Sequence, residues 1–90
     1  MAKSLHEKMK LHILKRMYDR SCWIHKHMNI NNLMGGLPPH ERDTTILKNV
    51  ISELEKNDWI IVKPTHYGLE ISLNTRKKKE IDDYIEKNIV

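Results

Sequence analysis

The sequence contains a run of four consecutive cations, Arg76, Lys77, Lys78 and Lys79. Asn74 or Thr75 can cap a helix immediately before this run, so the cations occupy the first turn of a helix over residues 75–89. An exposed cation in that turn faces the positive end of the helix dipole, which costs about 0.3–1 kcal/mol. A phosphate is attracted by both the side chains and the dipole. The run predicts phosphate binding through Arg76, Lys77 and Lys78, or alternatively a solvated face balanced by the acidic residues that follow.

A second group of residues that could perform chemistry is Cys22 with His25 and His27, whose side chains are of the types that bind zinc. In a strand, the two histidines would share one face. A structural zinc site usually needs four ligands, however, and the sequence has only one cysteine. Nothing near Cys22 marks an oxyanion site or an orienting carboxylate, which a nucleophile would need. We therefore predict no metal, no cofactor and no enzymatic activity, and expect Cys22 to be a small buried apolar residue beside Trp23.

The length and composition of the chain predict a single folded domain. Ninety residues can bury one modest core. Apolar residues make up 39% and charged residues 31%, which argues against disorder and against a membrane span. The N-terminal residues lack the apolar segment of a signal peptide, and one cysteine cannot form an internal disulfide. These features predict a protein of the reducing cytoplasm with no membrane partner.

The charge of the chain is unevenly distributed. The net charge is +4 and the pI is near 9.3, values that fit a polyanion-binding protein. Residues 1–20 carry six basic and two acidic side chains (+4), and residues 61–79 carry five basic and one acidic (+4). Residues 41–60 carry three basic and five acidic side chains (−2), which argues against polyanion binding by that segment.

The first helix is predicted from a capping box, Ser4 with Glu7, followed by apolar residues at three- and four-residue spacing. It runs from about Leu5 to about Asp19. Its apolar face consists of Leu5, Met9, Ile13, Leu14, Met17 and Tyr18. The segment that follows, residues 23–29, fits either a short edge strand or a loop.

Two further helices are predicted in the middle of the chain. The asparagine-rich residues 29–32 can cap a helix of two turns at Leu33-Met34, which Gly35-Gly36 ends. The next helix begins at Pro39, where a missing N–H costs nothing, and extends to Asn57. Its apolar face consists of Ile46, Leu47, Val50, Ile51 and Leu54. Its outward face consists of Glu41, Arg42, Thr45, Lys48, Asn49 and Ser52.

A β-hairpin follows this helix. Residues 59–62 are aromatic and β-branched, and residues 69–73 alternate between apolar and polar side chains. The alternation predicts inward-facing side chains at Leu69, Ile71 and Leu73. It places Glu70 and Ser72 in water. The five-residue loop between the strands starts at Pro64 and ends at Gly68, which can adopt the positive φ that re-enters the second strand.

The predicted fold is α+β, mostly α, a single domain over residues 1–90 with the element order α-β-α-α-β-β-α. Residues 31–73 resemble the core of the winged helix-turn-helix family, in which a short helix, a turn and a longer reading helix precede a two-stranded wing. Residues 54–60, Leu-Glu-Lys-Asn-Asp-Trp-Ile, resemble the helix end and first wing strand of many small prokaryotic and archaeal regulators. The resemblance implies a first helix (1–20), a helix-turn-helix (29–57), a wing hairpin (59–73) that pairs with residues 23–29 as third strand, and a C-terminal helix (75–89).

The resemblance also implies how such a domain would contact DNA. The third predicted helix would enter the major groove, where Arg42 would contact guanine, Asn49 adenine and Thr45 a thymine methyl or a phosphate. Lys48 belongs to the same outward face. The wing residues that would contact phosphate or the minor groove are Lys63, Thr65, His66 and Tyr67. The alternatives are a solvated helix face and an ordinary polar turn.

The function implied by this resemblance is sequence-specific binding of double-stranded DNA, with transcription regulated by occupancy, as in minimal archaeal or archaeal-virus regulators. One module buries too little surface for tight specific binding, so we expect a homodimer on a two-fold site. The terminal helices would form its surface, above all Tyr84, Ile85, Ile89 and Val90. No small-molecule effector is evident.

Two other functions compete with duplex binding. A winged-helix module for protein–protein interaction, such as an adaptor or assembly subunit, is favoured by the charge of −2 on residues 41–60. Binding of single strands or RNA would need exposed aromatic side chains for stacking, and only Tyr67 is suitably placed.

Overall fold

The computed structural model describes residues 4–88, which fold into three α-helices and a three-stranded antiparallel sheet. The helices are α1 (Leu5–Asp19), α2 (Thr44–Lys56) and α3 (Lys78–Asn88). The strands are β1 (Met28–Asn29), β2 (Ile60–Thr65) and β3 (Gly68–Leu73). Short 3-10 turns occupy Ile30–Asn32, Pro39–Glu41 and Thr75–Lys77. The predicted α+β class with mostly helical content is confirmed.

The hydrophobic core is formed by the apolar faces that the helical spacing predicts. Helix α1 buries Met9, Ile13, Leu14 and Met17, and helix α2 buries Leu47, Val50, Ile51 and Leu54. Helix α3 adds Ile81 and Ile85, while the sheet adds Met28, Ile60, Ile71 and Leu73. Full burial of one such side chain stabilises the fold by about 1.5–3 kcal/mol, so this core holds the elements together.

Local side-chain and backbone features set the helix ends. The Ser4 hydroxyl accepts a hydrogen bond from the Glu7 N–H at 3.2 Å, as the predicted capping box requires. The Glu7 carboxylate instead accepts from the Tyr84 hydroxyl at 3.0 Å, which ties α1 to α3. After α1 and α2 the chain reverses through Ser21 (φ 53°) and Asp58 (φ 62°), which adopt the left-handed conformation that ends many helices.

The sheet has the strand order β1-β3-β2, with both neighbouring pairs antiparallel. The third strand is shorter than predicted: of residues 23–29, Met28–Asn29 alone form a strand, in which Met28 pairs with Ile71 and Asn29 pairs with Glu70. Strand β2 lies at the edge of the sheet. An edge strand can contain Pro64, which has no N–H for a second ladder.

The turn of the hairpin is tighter than predicted. The strands extend to Thr65 and restart at Gly68, so His66 and Tyr67 alone form the tip and the predicted five-residue loop is wrong. The Thr65 hydroxyl stabilises this turn, since it donates to the Gly68 carbonyl at 2.9 Å and accepts from the Tyr67 N–H at 3.2 Å. Gly68 has the predicted positive φ, at 109°.

Two predicted orientations on β3 are wrong. Ser72 is fully buried, and Leu69 is 37% exposed. Ser72 is covered because the segment after α1 pairs with the same end of β3, where Leu73 donates to the Cys22 carbonyl at 2.6 Å. Leu69 is exposed because it lies one residue pair from the tip. Strict alternation therefore misassigned both ends of this strand.

The predicted two-turn helix at Leu33-Met34 is also wrong. The chain forms only the 3-10 turn Ile30–Asn32, followed by hydrogen-bonded turns through Gly36. The Asn29 side chain accepts from the Asn31 N–H at 2.9 Å, a local bond of the kind that competes with helix formation.

The third predicted helix begins five residues later than expected, at Thr44 rather than Pro39. The Asp43 carboxylate is its N-cap and accepts hydrogen bonds from two backbone N–H groups of the first turn, at 2.9 and 3.1 Å. Arg42 lies in the preceding turn, where its Nε donates to the Leu37 carbonyl at 2.8 Å. Glu41 and Arg42 are therefore not on the outward face of α2.

Candidate nucleic-acid interface

The outward face of α2 is a polar stripe opposite the buried Leu47 and Leu54. At about 100° per residue, this stripe consists of Thr45, Asn49, Ser52 and Lys56, with Lys48 beside it, and all five are exposed. The structure thus places Thr45, Lys48 and Asn49 together as predicted, whereas Arg42 lies outside the helix. The stripe has hydroxyl, amide and ammonium groups, which are compatible with a nucleic acid, and the exposed Glu55 lies on the same flank of α2 as Lys48.

Two acidic side chains of residues 41–60 are neutralised by α1. Glu53 lies on the flank of α2 that faces α1, with its carboxylate 2.8 Å from the Lys10 ammonium and 3.1 Å from the His6 ring. The hydrogen bond from Lys10 is the main reason that the pKa of Glu53 is lowered. Glu41 lies 3.7 Å from the Lys8 ammonium. The charge of −2 on this segment therefore does not describe the surface that α2 presents outward.

The other three acidic residues of this segment lie at the ends of α2. Asp43 uses its carboxylate as the N-cap. Glu55 occupies the last turn, on the flank of the helix away from α1, and Asp58 follows the C-cap. The N-terminal half of the outward stripe, Thr45 and Asn49, is therefore uncharged, and Lys48 lies beside it.

The wing residues differ in whether their side chains form contacts within the protein. Tyr67 is 84% exposed at the tip, and its ring lies 6.2 Å from that of His66. The Thr65 hydroxyl is engaged in the turn, so this side chain stabilises the tip. Lys63 is exposed on the edge strand. The Asn29 amide donates to the Tyr67 carbonyl at 3.0 Å and fastens the tip to β1. Lys63, His66 and Tyr67 remain available to a ligand.

The four-cation run divides into two pairs with different surroundings. Arg76 and Lys77 lie in the 3-10 turn before α3, so the prediction that all four cations occupy the first α-helical turn is wrong. Asn74 caps this turn by accepting from the Arg76 N–H at 3.1 Å, as predicted. Among residues 4–88, neither Arg76 nor Lys77 forms an ion pair.

Lys78 and Lys79 have intramolecular partners. The Lys78 ammonium lies 2.7 Å from the Asp82 carboxylate and 5.9 Å from the centres of the Tyr18 and Trp23 rings. Its pKa is raised, chiefly by the hydrogen bond to Asp82. Lys79 lies 3.4 Å from Asp83. The charge-balanced alternative therefore applies to Lys78 and Lys79, whereas Arg76 and Lys77 form no ion pair among the described residues.

The predicted dimer surface is largely used within the protomer. The Tyr84 ring packs edge-on against Trp59 at 5.7 Å, and Ile85 is only 7% exposed. Ile89 and Val90 lie outside the described residues. The exposed residues of α3 are charged: Lys78, Lys79, Glu80, Asp83, Glu86 and Lys87. Within one protomer, Ile85 is therefore buried and Tyr84 only partly exposed, and the homodimer stays a prediction.

The side chains of Cys22, His25 and His27 do not come together as a set of metal ligands. Cys22 is 1% exposed, as expected of a small apolar residue, and burial raises the pKa of its thiol. His25 and His27 are exposed. Within residues 4–88, no three side chains of His, Cys, Asp or Glu come together as a set of metal ligands.

One feature that the sequence interpretation missed is a basic cleft between the C-terminal half of α1 and β1. Its rim contains Arg16, Arg20, Lys26 and His27. Arg16 lies in the last turn of α1 and Arg20 is its C-cap, four residues later, which is a readable signal. The sequence does not show that Lys26 and His27 return to these two arginines.

The glycine pair after β1 lets this part of the chain approach α1 closely. A Cβ on Gly35 would lie 2.5 Å from the Arg16 guanidinium, so a larger residue there would require that side chain to move. The His12 ring forms a hydrogen bond of 2.8 Å with the Gly35 carbonyl. Burial lowers the pKa of His12, so at neutral pH the ring is uncharged and can donate this bond.

Comparisons of this chain with protein-family models, curated proteins and solved structures give no match. Among the described residues, no helix combines the length and apolarity needed to cross a bilayer. The functional interpretation therefore depends on the geometry and charge of the surfaces described above.

Proposed function

We propose that this protein is a winged-helix protein that binds double-stranded DNA, with α2 as the reading helix and the β2–β3 hairpin as the wing. The observation that carries the proposal is the exposed polar stripe of α2, formed by Thr45, Asn49, Ser52 and Lys56, beside which Glu53 is paired with Lys10 of α1. Hydroxyl, amide and ammonium groups on one exposed helix face can hydrogen-bond to base edges and phosphates in a major groove. The protein would regulate transcription by occupying its site in the cytoplasm.

Each element has a distinct role in this proposal. Asn49 and Thr45 contact base edges, and Lys48 contacts a base or a neighbouring phosphate. The wing contributes Lys63, His66 and Tyr67. Arg76 and Lys77 bind backbone phosphates, because their charges have no ion-pair partner among the described residues. Arg42 has no base-reading role, since it lies before the helix with its Nε held by the Leu37 carbonyl.

The first experiment measures duplex affinity as a function of salt. We expect random-sequence duplex to bind at low salt and affinity to fall steeply as salt rises. The double variant Arg76→Ala with Lys77→Ala should weaken binding to all sequences about equally and reduce the salt slope by about 2, one for each lost phosphate contact. Fluorescence anisotropy over a series of salt concentrations provides both the affinity and its salt slope.

The matched control is Lys15→Ala with Lys79→Ala. It changes the net charge equally, but both ammonium groups lie in ion pairs, with Asp19 and Asp83. Its salt slope should equal that of the unaltered protein. Equal slopes for the two double variants would reject the phosphate role of Arg76 and Lys77, and absence of duplex binding at low salt would reject the proposed function.

Sequence preference tests the reading helix separately. Selection of bound sequences from a random duplex pool should give a consensus for the unaltered protein. Asn49→Ala should relax the preference at one base position, by about 1–3 kcal/mol of discrimination. Ser52→Ala is a control on the same stripe, one turn further from the helix N-terminus that docks most closely. An unchanged consensus with Asn49→Ala would show that α2 does not read bases.

Occupancy of a two-fold site requires a homodimer, which sedimentation at micromolar concentrations should detect with and without duplex. A single module buries too little surface for tight specific binding. A strict monomer that also binds duplex with 1:1 stoichiometry would exclude the dimer but not DNA binding.

A protein-interaction module is the second candidate. The exposed Ile24 and Ile61, at 37% and 41%, favour it because they are large apolar side chains near the same end of β3. This candidate predicts no duplex binding at low salt. It also predicts that Ile61→Lys abolishes capture of a specific partner while leaving the stability of the fold unchanged.

A further inference from the structure

The basic cleft is a separate concentration of charge, distinct from α2 and the wing tip. It is open to solvent, has a volume of about 500 Å³, and includes Arg16, Arg20, Lys26, His27, Asn32 and Glu70 in its lining. Three permanent cations against one carboxylate give the lining a net charge of +2 with His27 neutral. A concave, positively charged surface of this size attracts a small anion.

The cations of the cleft are not neutralised by the protein. Among residues 4–88, Arg20 and Lys26 form no ion pair, and Arg16 donates only to a backbone carbonyl, that of Asn32, at 2.8 Å. That bond and the packing of its guanidinium against Gly35 hold Arg16 in one orientation. A guanidinium oriented in advance loses little side-chain freedom when it binds an oxyanion in bidentate geometry.

Glu70 adds a different chemistry to the same cleft. One oxygen of its carboxylate is shielded from solvent and has no hydrogen-bond partner among the described residues. Because Glu70 lines the cleft, its carboxylate can accept hydrogen bonds from a ligand with hydroxyl or amino donors. The DNA backbone has no such donors and would be repelled by the carboxylate. A free phosphate also lacks the volume to reach across the cleft.

We propose that the cleft binds a phosphomonoester of a sugar or nucleoside. The phosphoryl group carries about −1.5 to −2 charges at pH 7, which matches the net charge of the lining. Arg16, Arg20 and Lys26 bind its oxygens, and Glu70 with the Asn32 carboxamide binds hydroxyl groups of the sugar. This site is independent of the proposed DNA binding, because the reading stripe of α2 takes no part in it.

The experiment is isothermal titration at low salt with four probes: adenosine monophosphate, ribose 5-phosphate, inorganic phosphate and adenosine. We expect ribose 5-phosphate to bind at least tenfold more tightly than inorganic phosphate, and adenosine alone not to bind. Tighter binding of adenosine monophosphate than of ribose 5-phosphate would assign the ligand to the nucleosides, and equal binding would assign it to sugar phosphates. Failure of both esters to bind at millimolar concentration overturns the proposal.

Variants locate the binding within the cleft. Arg20→Ala with Lys26→Ala should weaken the binding of ribose 5-phosphate at least tenfold. Both cations are exposed, so their loss does not disturb the core. The charge-matched control Lys56→Ala with Lys87→Ala should leave the affinity within twofold. Equal weakening by the two pairs would mean nonspecific attraction and overturn the proposal.

Two further substitutions separate this site from the DNA surface. Glu70→Gln should reduce the preference for ribose 5-phosphate over inorganic phosphate, and an unchanged preference would remove Glu70 from the site. Asn49→Ala should leave ribose 5-phosphate binding unchanged. If duplex DNA binds and Arg20→Ala with Lys26→Ala weakens it while neither ester binds, the cleft is part of the DNA surface and the proposal is wrong.

Discussion

The cations inside the α1–α3 contact and those on the outer surfaces have opposite roles. The Lys10 ammonium lies 2.8 Å from the Glu53 carboxylate and 4.9 Å from the centre of the Tyr84 ring. Arg76 is exposed and has no ion-pair partner among the described residues. The cation beside the carboxylate and the aromatic ring stabilises the fold, whereas the exposed cation can attract a ligand.

This comparison shows why net charge is a poor guide to binding. Six cations occur in residues 1–20, but Lys8, Lys10 and Lys15 already lie in ion pairs within the protein. Their charges are neutralised locally, and Debye screening removes much of what remains at a distance. The positive potential available to a polyanion therefore comes from fewer residues than the sequence contains.

The largest effect on the free energy of unfolding is expected on the aromatic side of the contact that Lys10 makes with Glu53 and Tyr84. Trp59 is half-buried, packs edge-on against Tyr84 and has the Lys10 ammonium 5.4 Å from its ring centre. Trp59→Ala should lower the free energy of unfolding by about 3 kcal/mol, measured by urea denaturation. Tyr67→Ala, at the exposed tip, should change it by less than about 0.5 kcal/mol. Similar losses for the two variants would contradict the assigned roles.

Lys10→Met should have the next largest effect on the free energy of unfolding. Methionine keeps the apolar stem but removes the charge that interacts with Glu53 and the two rings. We expect a loss of about 1–2 kcal/mol in the free energy of unfolding. Lys15→Met removes an exposed pair with Asp19 and should change stability by less than about 0.5 kcal/mol. A loss at Lys15 as large as at Lys10 would remove the distinction between inner and outer cations.

The same inner contact should make stability dependent on acid pH. The pKa of Glu53 is lowered from its ordinary value of 4.5, chiefly by Lys10, so the unfolded chain binds the proton more tightly than the folded one. Its contribution is fully present above pH 4.5 and is lost as the pH falls through the lower folded pKa. Denaturation of Glu53→Gln over this range should show a flatter pH dependence than that of the unaltered protein, and identical slopes would contradict the assignment.

The smallest stability effect is expected for the outer cations. Arg76→Ala with Lys77→Ala should change the free energy of unfolding by less than about 0.5 kcal/mol, because no ion pair is lost among the described residues. Removal of like charges next to each other can even stabilise slightly. If the free energy of unfolding, measured by thermal or urea denaturation, fell by more than about 1 kcal/mol, these residues would have a structural role.

Much of the helical structure could be predicted because its causes are local. The apolar spacing and the cap at Ser4 predicted α1 from Leu5 to Asp19, which are its observed ends. The hairpin and the positive φ of Gly68 followed from strand and turn chemistry within a few residues. The failures were also local in origin, since Asn29 and Asp43 form side-chain hydrogen bonds that competed with the predicted helix starts.

The sequence by itself determined the α+β class, the buried faces of α1 and α2 and the existence of a hairpin, because periodicity and turn residues act over short distances. Only the tertiary structure decided which charged and polar groups are available. His6 reaches Glu53 across 47 residues and Tyr84 reaches Glu7 across 77, and no spacing rule connects such pairs. The pairing of Glu53 with Lys10 and the basic cleft exist because packing brings distant side chains together.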